Sequence, residues 1–322
     1  MRRRDFIKIF GSAAVWPLTA RAQQPSPLPV VGYLEALEGY GWAEAFQRGM
    51  SNLGYVANLT VIIERRSAAG QTERLPSLAA ELVHLRPQVI VASTPPATLA
   101  VKKATETIPI VMTFVNDPVA LGLVANLARP GGNVTGLSNL STGLMGKRLE
   151  LLLEIASGLS RVGAILDSTN EASRANYREL QAAAVPLHLT LETLEVRRPE
   201  DFDAAFAAAA TRGSGAAVLN NPMVLTHYGI VVAAAARHKV PTIYFDTETA
   251  EAGGLISYGA NTLELHRRAA VFVDKILKGA KPADLPIEQA TKFTLAVNLK
   301  TAKALGLKVP QSILVRADTI IE

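Results

Sequence analysis

The chain has 322 residues, 49% of them hydrophobic and 19% charged, which suits two packed domains and excludes a disordered chain. Its formal charge of +5 is concentrated at the start, where Arg2, Arg3, Arg4, Lys8 and Arg21 stand against Asp5 alone. The remainder is nearly neutral, so the charge surplus that phosphate-backbone binding needs is missing and no nucleic-acid partner is expected. The chain has no cysteine, which excludes disulfides, thiolate metal sites, a cysteine nucleophile and a lipid anchor on cysteine.

The first element is an address. Arg3-Arg4-Asp5-Phe6-Ile7-Lys8 has the twin-arginine pattern, residues 9–20 form a weakly apolar stretch, and Ala20-Arg21-Ala22 reads as a small-x-small cleavage site. Twelve apolar residues are too few to span a bilayer core of about 30 Å. Residues 1–22 are therefore expected to be a signal peptide cleaved after Ala22, releasing a periplasmic protein without a membrane anchor.

From residue 28 onward, short apolar runs alternate with helix-like stretches. The runs at 28–34 (LPVVGYL), 60–64, 89–92, 109–114 and 134–137 barely alternate in polarity, as strands buried on both faces of a parallel sheet do. Between them lie helix-like stretches at 42–53, 72–85, 96–105 and, shorter, 119–128. The pattern then restarts with a helix over 143–157, runs at 162–166, 188–193, 216–219, 242–245 and 255–257, and a long helix over 262–278. A strand at 293–297 and a helix at 299–305 close the reading. Two βαβ units in tandem follow, dividing near residues 136–142 with no flexible tether, so crossing chains are expected to form a hinge.

Open parallel sheets bind ligands outside the carboxyl ends of their strands. In the first half that rule selects Glu35 in the loop after the first strand, Ser93 and Thr94 after the third, and Asn116 and Asp117 after the fourth. In the second half it selects Asp167 and Asn170, Asn221, and Phe245 with Asp246. Tyr258, beside a crossing strand, completes the set. Most of these residue types also cap helices, so each has a structural reading beside its ligand-binding one.

Catalytic and metal signatures are missing. The five histidines are scattered without a His-x-x-x-His pair, there is no Walker loop and no Gly-x-Ser-x-Gly elbow, and Glu44 stands where a dinucleotide fingerprint wants its third glycine. No enzyme, metal or cofactor is expected. A transcriptional regulator would carry a DNA-binding headpiece where the export signal stands.

Several runs carry a resemblance: Phe46-Gln47-Arg48-Gly49-Met50, Asp117-Pro118-Val119-Ala120-Leu121-Gly122, Arg129-Pro130-Gly131-Gly132-Asn133-Val134-Thr135-Gly136, Gly253-Gly254-Leu255-Ile256-Ser257-Tyr258-Gly259, and Asn298-Leu299-Lys300-Thr301-Ala302. Over residues 28–322 the chain resembles the ABC-transporter substrate-binding family, which includes aromatic-amino-acid binders. The resemblance implies a periplasmic-binding-protein type I fold, an α/β architecture of two doubly wound parallel-sheet lobes joined by a multi-strand hinge. It implies lobe 1 over 28–137, completed by about 259–290, and lobe 2 over 138–258, completed by about 291–322. It also implies a monomer that closes on a small organic solute and hands it to an ABC permease. A periplasmic sensor presenting its ligand to a membrane receptor is the alternative. The glutamates of residues 35–41 and the acidic run 245–249 depart from the family and point toward a cationic group on the ligand.

Overall fold

The computed structural model describes residues 27–139, 143–219 and 222–322, so the expected signal segment and Asn221 lie outside the described residues. In chain order come β1 (Val30–Glu35), α1 (Trp42–Asn52), β2 (Ile62–Ser67), α2 (Leu75–His84), β3 (Val89–Ser93), α3 (Pro95–Ala104), β4 (Ile110–Val115) and β5 (Val134–Ser138). Then follow α4 (Leu144–Ile155), β6 (Arg161–Leu166), α5 (Glu171–Ala184), β7 (Thr190–Glu195), α6 (Asp201–Thr211), β8 (Gly215–Val218), α7 (Pro222–Thr226), α8 (Tyr228–Arg237), β9 (Thr242–Tyr244), α9 (Thr247–Glu251) and β10 (Ile256–Ala260). The chain ends through α10 (Thr262–Leu277), β11 (Glu288–Gln289), β12 (Phe293–Asn298), α11 (Leu299–Ala304), α12 (Gln311–Arg316) and β13 (Thr319–Ile321).

Two sheets form the frame. The first has the order β11-β5-β4-β3-β1-β2 and the second β13-β12-β10-β9-β8-β6-β7. Read from its edge, β2-β1-β3-β4-β5 matches β7-β6-β8-β9-β10, so the two sheets repeat one topology. All pairings are parallel except β10 with β12. The apolar runs are central strands: every residue of β3 and β4 is buried. The chain passes between the sheets after β5, after β10 and after β11, since β11 joins the first sheet while β10, β12 and β13 belong to the second. Helix α10 packs against α1 of the first lobe so closely that a Cβ on Gly49 would lie 2.2 Å from the Arg267 carbonyl oxygen.

Several local readings differ from the sequence expectation, the strand expected at 188–193 starting at Thr190 among them. Residues 119–128 form successive turns rather than a helix, because the Asp117 carboxylate caps the amides of Val119 and Ala120 and Gly122 turns back at φ 64°. Strand β2 begins two residues late, after a turn in which the Thr60 hydroxyl oxygen accepts from the Val56 amide at 2.7 Å. The last helix and strand, α12 and β13, were too short to register as periodic. No helix among the described residues is long and apolar enough to cross a membrane.

Candidate functional site

Strand order reverses between β1 and β3 in one sheet and between β6 and β8 in the other, and the loops at those carboxyl ends face each other. They touch. Tyr40, in the loop after β1, donates its hydroxyl to the Leu225 carbonyl of α7 at 2.6 Å, and its ring lies 5.7 Å from Tyr228. Thr262, the first residue of α10, donates to Glu248 Oε1 of α9 at 2.7 Å. Both ties join the first lobe to the second, so the lobes are drawn together.

The first lobe presents an aromatic, uncharged face. Trp42 stacks flat on His266 at 4.7 Å and lies 4.6 Å from Tyr40 and 5.4 Å from Phe114. The His266 Nδ1–H donates to the Thr262 carbonyl, so Nε2 accepts from the Thr113 hydroxyl at 2.8 Å. Burial pushes His266 down to about 4, which keeps the ring neutral. Next to this stack Thr94 sits at φ 79°, a left-handed backbone for a branched residue, with its hydroxyl and that of Ser93 buried and unpartnered. The Asn139 side-chain oxygen and the Trp42 indole N–H are likewise unpartnered. Thr94 precedes two prolines, which have no amide hydrogen, so this helix start offers hydroxyls in place of backbone donors.

The second lobe presents charge. Arg148 of α4 is 2% exposed; its Nε donates to the Tyr258 carbonyl at 2.7 Å and Nη1 faces the Met145 sulfur. Burial lowers its guanidinium to about 10, against the pull of Glu179 and Asp246. Glu179 accepts from the amides of Gly143 and Met145 through Oε1 and leaves Oε2 unpartnered. Asn176, 1% exposed, has neither amide atom bonded, and the Ser173 hydroxyl is also free of partners. Burial, then the adjacent Asp246, pushes the Glu248 carboxyl up to about 7. Its Oε2 is closed off from solvent without a partner.

The residues singled out in the sequence divide into groups. Ser93 and Thr94 carry unpartnered hydroxyls at the facing edge. Asn116 is half-buried beside them, its carbonyl accepting from the Ser138 hydroxyl. Glu35 is buried and bound to Arg65 at 2.6 Å. Asp117 caps an exposed turn, Asp167 holds the amide and hydroxyl of Thr169, and Asn170 caps α5 through the Ser173 amide. Asp246 caps α9 through the Thr249 amide at 2.7 Å and also takes the Thr249 hydroxyl, while Phe245 is a core side chain. Tyr258 turns its ring to Phe293 at 6.0 Å and gives its carbonyl to Arg148.

Sequence reasoning missed Tyr40, Arg148, Asn176 and His266, and held Glu248 only as part of the acidic run 245–249. Two of these had a readable signal. Met145, Arg148, Leu149 and Leu152 fall on the buried stripe of α4, and Ser173, Asn176, Leu180 and Ala184 on that of α5, so each polar residue interrupts an apolar face.

A cavity of about 740 Å³ lies beside the crossovers, lined by Leu137, Asn261, Leu265, Gln289, Thr291 and Lys292 among others. None of its lining residues carries one of the unpartnered buried atoms, so we place the candidate site at the facing edges. Among the described residues no His, Cys, Asp and Glu cluster could hold a metal ion.

Comparison with known proteins adds the following. The family model described as ABC transporter substrate binding protein matches residues 35–321. A solved ABC domain from Streptococcus pneumoniae in complex with L-Trp is 26% identical, with a TM-score of 0.84 over 91% of this chain and 100% of that one. The ligand-free, open structure of a substrate-binding protein with adhesive properties from Clostridium difficile is 23% identical, with a TM-score of 0.71 over 91% of this chain and 99% of that one. A tyrosine-binding protein of Clostridioides difficile is 24% identical over 265 residues, 82% of this chain and 76% of that protein.

Proposed function

This chain belongs to the ABC transporter substrate binding protein family, and on that premise we propose that it is the exported, solute-capturing component of an importer. Its two lobes close on a small organic molecule, an amino acid or aromatic-type compound. The reading is supported by one observation: both lobes carry buried polar atoms without partners, among them the Ser93 and Thr94 hydroxyls and the Asn139 oxygen after first-lobe strands, and Glu248 Oε2 and the Asn176 amide in the second lobe. An unpartnered buried polar atom costs about 1–3 kcal/mol, a cost a polar ligand would remove.

In this reading Ser93, Thr94 and Asn139 serve the ligand from lobe 1, and Arg148, Asn176 and Glu248 from lobe 2. Asp246 and Tyr258 act through Arg148, which they hold in place. The aromatic wall of Tyr40 and Trp42 suits a flat or apolar side group, and neighbours of this fold include an L-Trp complex. Three interlobe crossovers form the hinge, and a ligand that touches both lobes selects the closed form. A permease would then read the closed shape, after export and removal of residues 1–22.

A thermal-shift panel of amino acids, aromatic acids, amines and sugars tests the binding step. A cargo at 100 times its dissociation constant adds about 2.7 kcal/mol of stability. Trp42 is the only tryptophan outside the signal segment, so its fluorescence checks each hit. Loss of uptake of the identified solute on gene deletion tests the importer role, and the mass of the exported protein tests cleavage after Ala22. A panel without a single shift would overturn the reading.

A further inference from the structure

The second lobe's charge arrangement goes beyond naming a solute site, and the inference drawn from it rests on the reading above. Glu248 is the group at issue. Oε1 is bound to the Thr262 hydroxyl across the hinge, while Oε2 is buried with nothing bound to it. Asp246 lies close by and is already committed, its Oδ1 held by the Thr249 amide and hydroxyl. Its charge is offset by Arg148 from α4. Glu251 adds a further negative charge from the same helix. Among the described residues, the first-lobe group that acts on these carboxyls is Tyr40 from the facing loop, and His266 on α10 is neutral with Nε2 accepting. Tyr228 of α8 completes the surroundings through Tyr40.

Two neighbouring buried carboxyls do not both ionise cheaply. Asp246 has the Thr249 amide and hydroxyl and an arginine beside it, whereas Glu248 has one hydroxyl and its own backbone amide, and no cation. The charge missing at Glu248 is therefore positive, and the aromatic faces of Tyr40, Trp42 and Tyr228 suit the same sign, since a ring face attracts cations. We propose that Glu248 reads a positively charged nitrogen on the cargo and gives up one proton to solvent when that nitrogen arrives. The carboxylic acid loses its proton to the buffer, and the resulting carboxylate pairs with the ammonium, which keeps its own hydrogens. A neutral or anionic cargo leaves the acid protonated. The raised Glu248 carboxyl, at about 7, places this exchange at neutral pH.

Calorimetry in phosphate and in Tris, whose protonation enthalpies differ, measures the proton directly. Three probes separate the chemistry: tryptamine with an amine alone, L-tryptophan with amine and carboxylate, and indole-3-propionate with a carboxylate alone. Amine-bearing probes should release about half a proton at pH 7, and their dissociation constant should rise by up to about tenfold per pH unit between pH 7 and 5. Glu248→Gln should abolish both the release and the slope and weaken binding about tenfold or more. Glu248→Asp, which keeps the carboxyl, should restore the slope. Unchanged proton release in the glutamine variant would overturn the proposal, as would indole-3-propionate binding as tightly as tryptamine. If neither amine-bearing probe binds while another solute of the panel does, this assignment fails and the binding-protein reading stands. If nothing binds, both fail.

Discussion

The two facing edges share one topology and differ in chemistry. In the first lobe the edge is a stacked aromatic surface, Tyr40, Trp42, Phe114 and a neutral His266, edged by free hydroxyls. In the second it is a charge set, buried Arg148 and Asp246 with half-buried Glu248 and Glu179, backed by an unbonded Asn176. The same βαβ frame thus separates two tasks. One lobe supplies shape that needs no counter-charge, and the other supplies charge that is incomplete on its own. Tyr40 with Leu225 and Thr262 with Glu248 tie the two edges together, and each chemistry can be altered at residues of its own edge.

Arg148 is where the charged edge breaks most readily. Its guanidinium is the nearest positive charge to Asp246 and supplies the donor for the Tyr258 carbonyl. Arg148→Met keeps much of the volume and leaves the Asp246 and Glu179 carboxyls without it. A loss on the order of 3 kcal/mol is expected in urea melts at pH 7, with part of it recovered at low pH as the carboxyls take protons. A loss under about 1 kcal/mol would mean that the arginine is not the counter-charge of this edge.

The pH dependence of stability separates the edges without touching the ligand. His266 has a folded value near 4 against about 6.5 unfolded, so the unfolded chain holds the extra proton in that window and stability falls as pH drops from 6.5 to 4. Glu248 runs the other way. Its folded value near 7 stands above about 4.5 unfolded, so the folded chain holds the proton and stability rises as pH drops from 7 to 4.5. Each effect is on the order of 3 kcal/mol, and between pH 6.5 and 4.5 they offset each other. His266→Gln should therefore expose a stability that increases on acidification through that window. Glu248→Gln should expose one that decreases. Parallel curves for both variants and the parent would remove the contrast between neutral and charged edges.

Tyr40 tests the contact itself. Tyr40→Phe keeps the ring on Trp42 and removes the hydroxyl bonded to the Leu225 carbonyl. The closed form should lose about 1 kcal/mol, seen as roughly fivefold weaker ligand binding and a larger open fraction in solution scattering. Since Tyr40 belongs to lobe 1 and Leu225 to lobe 2, stability of the separate lobes should be little affected.

The frame was legible because buried parallel strands announce themselves: β3 and β4 are continuous apolar runs ending in Ser93 and Val115. The site was legible only as far as the strand-end rule reaches. It picked out Ser93 and Thr94, which carry free hydroxyls, with the same confidence of pattern as Asp117 and Asn170, which are spent on backbone amides. A short polar residue after a strand looks the same in either role, because capping and ligand binding use the same donors and acceptors. Arg148 and Asn176 lie on helices remote from the strand ends in sequence, and only their place in an apolar stripe distinguishes them.

Glu35 is where the strand-end rule and the structure part most sharply, and it carries the smallest expected effect. It ends β1 at the switch point, the position the rule favours, and it is 2% exposed. Yet Arg65, across the β1–β2 pair, takes its Oε1 at 2.6 Å and also holds Glu44 at 3.0 Å, so the carboxylate has a partner within its own sheet. Burial raises the Glu35 carboxyl and the Arg65 hydrogen bond opposes that rise. Arg65 is 37% exposed, and solvent screening limits what the pair is worth to about 1 kcal/mol. Glu35→Gln keeps the shape and an acceptor for the guanidinium. Affinity for any cargo identified should stay within about twofold, while the same exchange at Glu248 removes the pH slope. Equal losses from the two variants would return the cationic recognition to the first lobe and dissolve the division between the edges.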